Sequence, residues 1–343
     1  MMALERSLLG EREIISLCRE HYGLQISSAE RLALGTANCY RVSDGSGYYF
    51  LKEFQSGFGA EALMREAALT DFLAGAGIPT ARFIRASDGH PYVRISGRFV
   101  CLEEYIDGIS YGYDDFPVEL MPEAAALLGR LHNTLVGYEL PIDMAGEWLD
   151  GYSYASAERQ YDSLLAALEC HRGDAHYDRI KSDLRFKRAL LSGCDELKEY
   201  YRRVSYKPTH GDYQGCQLIC GDGHIRAVVD FSSARTLPAV WEIMRSYVQT
   251  SAYCRECAGI DAEGLYRYVG EYMKHSPLTK AELAAMPYVY LFQLARSRYG
   301  YLQYLTTDSE DRESLLRFAF WRTDICREVS RRAEELSESL SHI

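Results

Sequence analysis

The chain has 343 residues, 47% apolar and 25% charged, an ordinary globular composition with length enough for two domains or one large two-lobed one. Its formal net charge of −11, with no basic stripe, excludes a nucleic-acid partner. No apolar run is long enough for a membrane span, and charges interrupt the opening "MMALERSLLGEREIISL", so a cytoplasmic protein without a signal peptide or membrane association is expected.

The ten cysteines are scattered and read as reduced thiols, not as a disulfide framework. In chain order, residues 4 to 22 carry Leu8, Leu9, Ile14, Ile15, Leu17 and Cys18 among charges, the pattern of an amphipathic helix ending near Gly23. Apolar and β-branched runs broken at Gly35 and at "SDGSG" predict a hairpin. "EALMREAALTDFLAGAG" has helical spacing and stops at a glycine before Pro79, and short strands follow up to "RFVCLEEYIDG". After Gly108 the text is helical, in "PEAAALLGRLHNTL", around 156 to 170, over 177 to 203 and from 238 onward. One region interrupts it: "YKPTHGDYQGCQLICGDGHIRAVVDFSSART" has loop residues, then two short apolar runs about a glycine turn.

The strongest chemical signal is "HGDYQGCQ", with His210, Asp212 and Gln217, followed by Asp230 in "VVDFSS". Phosphoryl transfer needs an acceptor for the attacking hydroxyl's proton and oxygen ligands for a magnesium ion that neutralises phosphate charge. An aspartate leading a loop, an amide later on it and a second aspartate after the next strand supply both. An aspartate at a strand end is by itself a common turn residue.

These motifs resemble the aminoglycoside phosphotransferase and choline kinase-like family, whose catalytic loop reads HGDxxxxN and whose metal motif reads IDF or VDF. The resemblance runs in order over about residues 26 to 250: "LALGTANCYRV" is similar to the nucleotide loop, "YYFLKEF" to the lysine-bearing strand, and "REAALTDFLAGAGIPTARFI" to the helix with the paired glutamate. "CLEEYIDG" resembles the hinge and "LLGRLHNTL" the helix after it. It implies an α+β, bilobal protein kinase-like fold, with a β-rich nucleotide-binding lobe over 1–104 and a helical lobe over 105–343 holding the catalytic loop and substrate pocket. It implies ATP and Mg2+ as cofactors, Asp212 as catalytic base with His210 bracing its loop, and Asp230 and Gln217 as metal ligands. Lys52 would meet the α- and β-phosphates and Glu66 would orient it, with Glu61 the competing partner on another helix face. Gly35, Thr36, Ala37 and Asn38 would cover the phosphates with their backbone N–H groups, and backbone groups near Glu104 to Ile106 would hold adenine while the hinge glutamates stay solvated. His132 is a packing residue.

Two departures from the family pattern stand out. Gln217 replaces its asparagine and is one methylene longer. Glu242, in "LPAVWEIMR", stands where the family's "DPxxDLA" has its second aspartate.

Family members phosphorylate hydroxyls of aminoglycosides, choline, homoserine and methylthioribose. Glu242, Arg245 and Tyr247 are candidates for a substrate wall, while Arg245, Arg296 and Arg298 would suit a carboxylate-bearing substrate. Gly211 stands where a regulated protein kinase has its arginine, and no long activation segment follows Asp230. The reading is therefore a small-molecule kinase, with a pseudokinase or nucleotide-binding scaffold, or a protein Ser/Thr kinase of the same family, as alternatives. A metal hydrolase lacks a second His/Asp pair at ligand spacing, and Cys254 with Cys257 lacks the second half of a zinc site. Oligomeric state is not legible.

Overall fold

The computed structural model describes residues 5–32, 37–112, 114–140, 153–307 and 311–343. The chain divides into two compact units. The first comprises Met2–Ser110 with Gln217–Ser233, and the second Tyr111–Cys216 with Ala234–Ile343.

In the first unit an antiparallel sheet runs in the order Ser28–Leu32, Asn38–Ser43, Tyr48–Glu53, Arg98–Glu104, Phe83–Ile84, with Val93–Ile95 also pairing on Arg98–Glu104. The turn at Asp44 is built by its carboxylate, which accepts the N–H groups of Ser46 and Gly47, each at 2.8 Å. Strand parity then decides what each face does. Leu51 pairs with Leu102 and faces a core closed by Ile14, Leu17 and Cys18 of the helix Glu11–Tyr22. Lys52 pairs with Cys101, which packs with Leu63 and Ala67 of the helix Ala60–Gly75. Lys52 and Glu103 therefore share the face covered by the helix that carries Glu66.

The first helix starts later than its pattern predicts. Glu13 draws the N–H of Gly10 at 3.1 Å and caps the helix there, while Glu53 takes the N–H of Leu8 at 3.0 Å and the hydroxyl of Ser7. Ser7 and Leu8 are thus tied to the end of the interior strand Tyr48–Glu53 and do not wind. The hairpin Leu218–Gly221 with His224–Val228 turns through Asp222 and Gly223, both at positive φ, the backbone such two-residue turns require.

The second unit is helical. Helix Lys280–Arg296 packs against Arg312–Leu340, Ala239–Thr250 and Cys194–Arg202, and its buried face includes Leu283, Met286, Val289, Tyr290 and Leu294. The helical text from 177 to 203 breaks into Tyr177–Leu190 and Cys194–Arg202, and a short ladder unforeseen in the sequence pairs Tyr206–Thr209 with Arg235–Pro238. Among the described residues all ten cysteines are free thiols and no helix is long and apolar enough to cross a membrane.

Candidate active site

Within the first unit the chemistry gathers about Lys52. Its Nζ lies 3.1 Å from Glu103 Oε1, and both side chains are buried. Burial opposes the lysine's charge, but Glu103, Asp230 and Glu66 outweigh it and hold the ammonium well above its ordinary range. Glu66 is pushed up to about 8 by burial, with Glu103 and Asp230 adding to the shift while Lys52 and the Phe231 N–H pull against it. Burial pushes Glu103 up as well, opposed by Lys52. One ammonium thus faces three carboxyl groups in a low-dielectric setting, and burial drives Glu66 and Glu103 toward their protonated forms.

The sequence expectation paired Lys52 with Glu66, yet the glutamate in direct contact is Glu103. Expected as a solvated hinge residue, it is 5% exposed, because its parity with Cys101 turns it onto the lysine's face. Glu61 is almost fully exposed and reaches only Arg65, so it does not compete.

Asp230 follows the hairpin at φ 63, a backbone region that aspartate tolerates better than most residues. Its Oδ1 accepts the Ser232 hydroxyl at 2.7 Å. The hairpin ladder pairs Leu218 with Val228, and the Val229 N–H donates to the Gln217 carbonyl at 3.0 Å. Gln217 and Asp230 accordingly stand at the same end of one hairpin. Among the described residues no three His, Cys, Asp or Glu side chains form a ligand group for a metal ion.

The side chain of Asn38 takes no part in the phosphate role, which is expected of its backbone N–H. Asn38 is 1% exposed, gives its Nδ2 to the Glu5 carbonyl at 3.1 Å and accepts from Arg31 at 2.8 Å, so its side chain is committed to the fold. Gly35 and Thr36 lie outside the described residues. At the hinge, the Glu104 N–H donates to the Arg82 carbonyl at 2.9 Å and its carboxylate binds the Arg82 guanidinium. Any base-reading N–H must then come from the residues after it, Ile106 included.

Within the second unit the catalytic-loop residues leave the strand Tyr206–Thr209 and are held by a buried carboxylate. Glu242, fully buried on the helix Ala239–Thr250, accepts the His210 N–H at 3.0 Å and the Gly211 N–H with its other oxygen. It also meets His132 Nε2 at 2.8 Å, and His132 Nδ1 meets the Tyr272 hydroxyl at 2.8 Å. Burial works against the Glu242 charge, but His132, His210 and Arg245 more than offset it and hold the carboxyl below its usual range. Gly211 turns at φ 81, where a side chain would be strained. His210 Nδ1 accepts the Asp212 N–H at 3.2 Å, so the histidine braces backbone.

Asp212 itself is engaged on both oxygens. Arg245 donates to Oδ1, and the Gln214 amide donates to Oδ2 at 3.2 Å. The loop is further pinned where Gly215 donates to Thr250 Oγ1 at 3.0 Å and Tyr213 donates to the Ala124 carbonyl at 2.8 Å. Glu242 and Tyr247, expected at a substrate wall, are both buried. Glu242 is spent on the loop, and Tyr247 is 3% exposed with its hydroxyl on the Asp261 carbonyl at 3.0 Å. Of the three only Arg245 touches Asp212. Cys254 is buried with its thiol pushed up to about 12, whereas Cys257 is exposed, a pair unsuited to a shared metal.

Residues 28–278 match the profile described as the phosphotransferase enzyme family. The homoserine kinase of Zymomonas mobilis is 23% identical over 221 residues, covering 63% of this chain and 61% of that protein, so the match spans less than two thirds of the curated relative's length. Among solved structures, spectinomycin phosphotransferase in complex with ADP and spectinomycin superposes with a TM-score of 0.63 at 15% identity, covering 96% of this chain and 100% of that one. An amicoumacin kinase in complex with AMP-PNP and Ca2+ gives 0.62 at 16% identity over 93% and 94% of the two chains. A microcompartment-associated aminopropanol kinase gives 0.58 at 16% over 95% and 99%. The α+β kinase-like fold expected from the sequence is the fold observed.

Proposed function

Since the chain belongs to the phosphotransferase enzyme family, we propose that it moves the γ-phosphoryl group of ATP to a hydroxyl of a small molecule, with magnesium as cofactor. The observation that carries the reading is the buried cluster about Lys52, where the carboxyl groups of Glu66, Glu103 and Asp230 gather round one ammonium. Such a site favours a divalent cation with its polyphosphate over either alone. Lys52 would bind the α- and β-phosphates, with Glu103 in contact and Glu66 behind it fixing the ammonium. Asp230 and Gln217 would hold the magnesium, whose charge offsets that on the transferring group.

On the acceptor side, Asp212 takes the proton of the attacking hydroxyl. The hydroxyl oxygen bonds to the γ-phosphorus, the bond from that phosphorus to the β-γ bridging oxygen breaks, and ADP leaves with the bridging electrons. Glu242, through the His210 and Gly211 amides, keeps the base in place. Nucleotide handling falls to the part of the chain with Lys52 and acceptor handling to the part with Asp212. The complexes of relatives with ADP or AMP-PNP, and the amino-alcohol and homoserine kinases among them, support a small hydroxyl compound as acceptor.

The test is ATP consumption by the purified protein with magnesium and a panel of aminoglycosides, amino alcohols, hydroxy amino acids and sugars. Turnover on at least one acceptor, abolished in Asp212→Asn, is expected. Nucleotide binding with no phosphate ester formed across the panel would instead make the protein a scaffold.

A further inference from the structure

Two arginines of the second unit hold buried guanidinium nitrogens that no acceptor answers. Arg245 spends one terminal nitrogen on Asp212, while its other terminal nitrogen, NH1, is buried without an acceptor. Arg322, on the helix Arg312–Leu340, is 8% exposed. Its NH2 donates to the neutral amide of Gln293 at 3.2 Å and its guanidinium lies 5.7 Å from the Phe318 ring centre, but its Nε is buried without an acceptor. Arg245 is close enough to depress the Arg322 proton affinity further, and Tyr290, on the helix between them, is within electrostatic reach of both.

Asp212 answers one of these charges and nothing among the described residues answers the other. An uncompensated buried guanidinium costs several kcal/mol, a cost that a bound anion removes. The unpaired N–H groups of the two arginines, on helices that both pack against Lys280–Arg296, match the two oxygens of a carboxylate. The geometry also limits where that carboxylate sits. One guanidinium, that of Arg245, touches the base that takes the acceptor's proton and offers its remaining N–H beside it, so the hydroxyl and the anion are a short chain apart.

Building on the phosphotransferase reading above, we propose that the acceptor is a small hydroxy acid, whose carboxylate is held by Arg245 and Arg322 while its hydroxyl meets Asp212. Arg322 is then a specificity residue, and polycationic acceptors are disfavoured.

The experiment compares acceptors that differ only by the carboxylate: serine with ethanolamine, homoserine with 3-aminopropan-1-ol, and 4-hydroxybutyrate with propan-1-ol, alongside an aminoglycoside. In at least one pair kcat/KM for the acid should exceed that for its partner by about tenfold or more, as expected where a site's buried polar groups need an answering group. Arg322→Gln should shrink that ratio through KM for the acid, with KM for ATP unmoved. Equal rates within every active pair, or a preference for the carboxylate-free member or the aminoglycoside, overturns the proposal while leaving the phosphotransferase reading intact. ATP turnover with none of these compounds, nor with the wider panel, overturns both. Should Arg322→Gln fail to fold, the wild-type pairs alone decide, together with protection of the wild type against thermal unfolding by the acids but not by their partners.

Discussion

Glu242 accepts the backbone N–H of His210 at 3.0 Å and, through its second oxygen, that of Gly211, so one fully buried carboxylate on a helix sets the path of the loop that carries Asp212. The third partner, His132 at 2.8 Å, fixes the carboxylate in turn. Replacing Glu242 by glutamine puts an amide N–H against a backbone N–H and breaks a buried charged network, at about 3–5 kcal/mol. We expect Glu242→Gln to unfold at lower urea and to lose kcat more than it raises KM, because the base is displaced while substrate groups are untouched. Unchanged kcat with lowered stability would make the residue purely structural.

The same residue sets an acid limb. Its carboxyl is held below the ordinary 4.5 in the fold, so between the folded and unfolded values the unfolded chain binds more protons. The contribution of Glu242 is present above the unfolded value and is lost as pH falls through the folded one. Equilibrium unfolding between pH 3 and 6 (about the carboxylate range) should show a shallower slope in Glu242→Gln than in the wild type.

Glu66 has the opposite sign. Its carboxyl is pushed up to about 8 in the fold from 4.5, so from the unfolded value to the folded one the native state binds more protons and wild-type stability falls as pH rises. Glu66→Gln should remove part of that fall and cost little stability near neutrality, where the native carboxyl is already largely protonated. Lys52→Met, by contrast, strands Glu103 without its 3.1 Å partner and should both destabilise and abolish nucleotide-dependent turnover. A Glu66→Gln variant with the wild-type slope in urea titrations from pH 5 to 8 (roughly that window) would contradict the assignment.

How much of this was legible in the sequence follows from the distance over which each residue acts. Gln217 and Asp230 flank one hairpin and Asp212 precedes it closely in the sequence, so spacing alone marks them as a group in the sequence. Glu103 was missed because its relation to Lys52 depends on strand register. Only the pairing of Lys52 with Cys101 shows that Glu103 points to the lysine and not to water. Asn38 reads as loop text, whereas its side chain is held by Arg31 and Glu5, contacts that local spacing does not show. Arg322 lies in a helix rich in charge, and nothing in its local pattern separates it from its solvated neighbours. The helix–helix packing that buries it is a tertiary fact.

Gln217 offers a direct probe of the metal. Its carbonyl is fixed by the Val229 N–H at 3.0 Å, so the extra methylene relative to asparagine must be absorbed by the side chain or the ion. Magnesium titrations of activity should give a shifted half-saturation in Gln217→Asn, while Asp230→Asn should lose about 100-fold or more in kcat at any magnesium concentration. Superimposable curves for wild type and Gln217→Asn would remove the glutamine from the metal site.

The last prediction concerns packing under the loop. A Cβ on Gly215 would stand 2.9 Å from Phe116 Cδ2 and 3.3 Å from its Cγ, closer than carbon atoms tolerate, and Phe116 is itself 3% exposed with little room to retreat. Gly215→Ala should therefore cost about 1–3 kcal/mol. Because Gly215 is tied to Thr250 only three residues beyond Asp212, kcat should fall with stability. The strain is specific to one ring, so trimming it with Phe116→Leu in the Gly215→Ala background should recover part of both losses. A double-mutant cycle then gives a favourable coupling between the two positions. Additive losses in urea unfolding and in kcat would show that the glycine is needed for its backbone and not for the space beside Phe116.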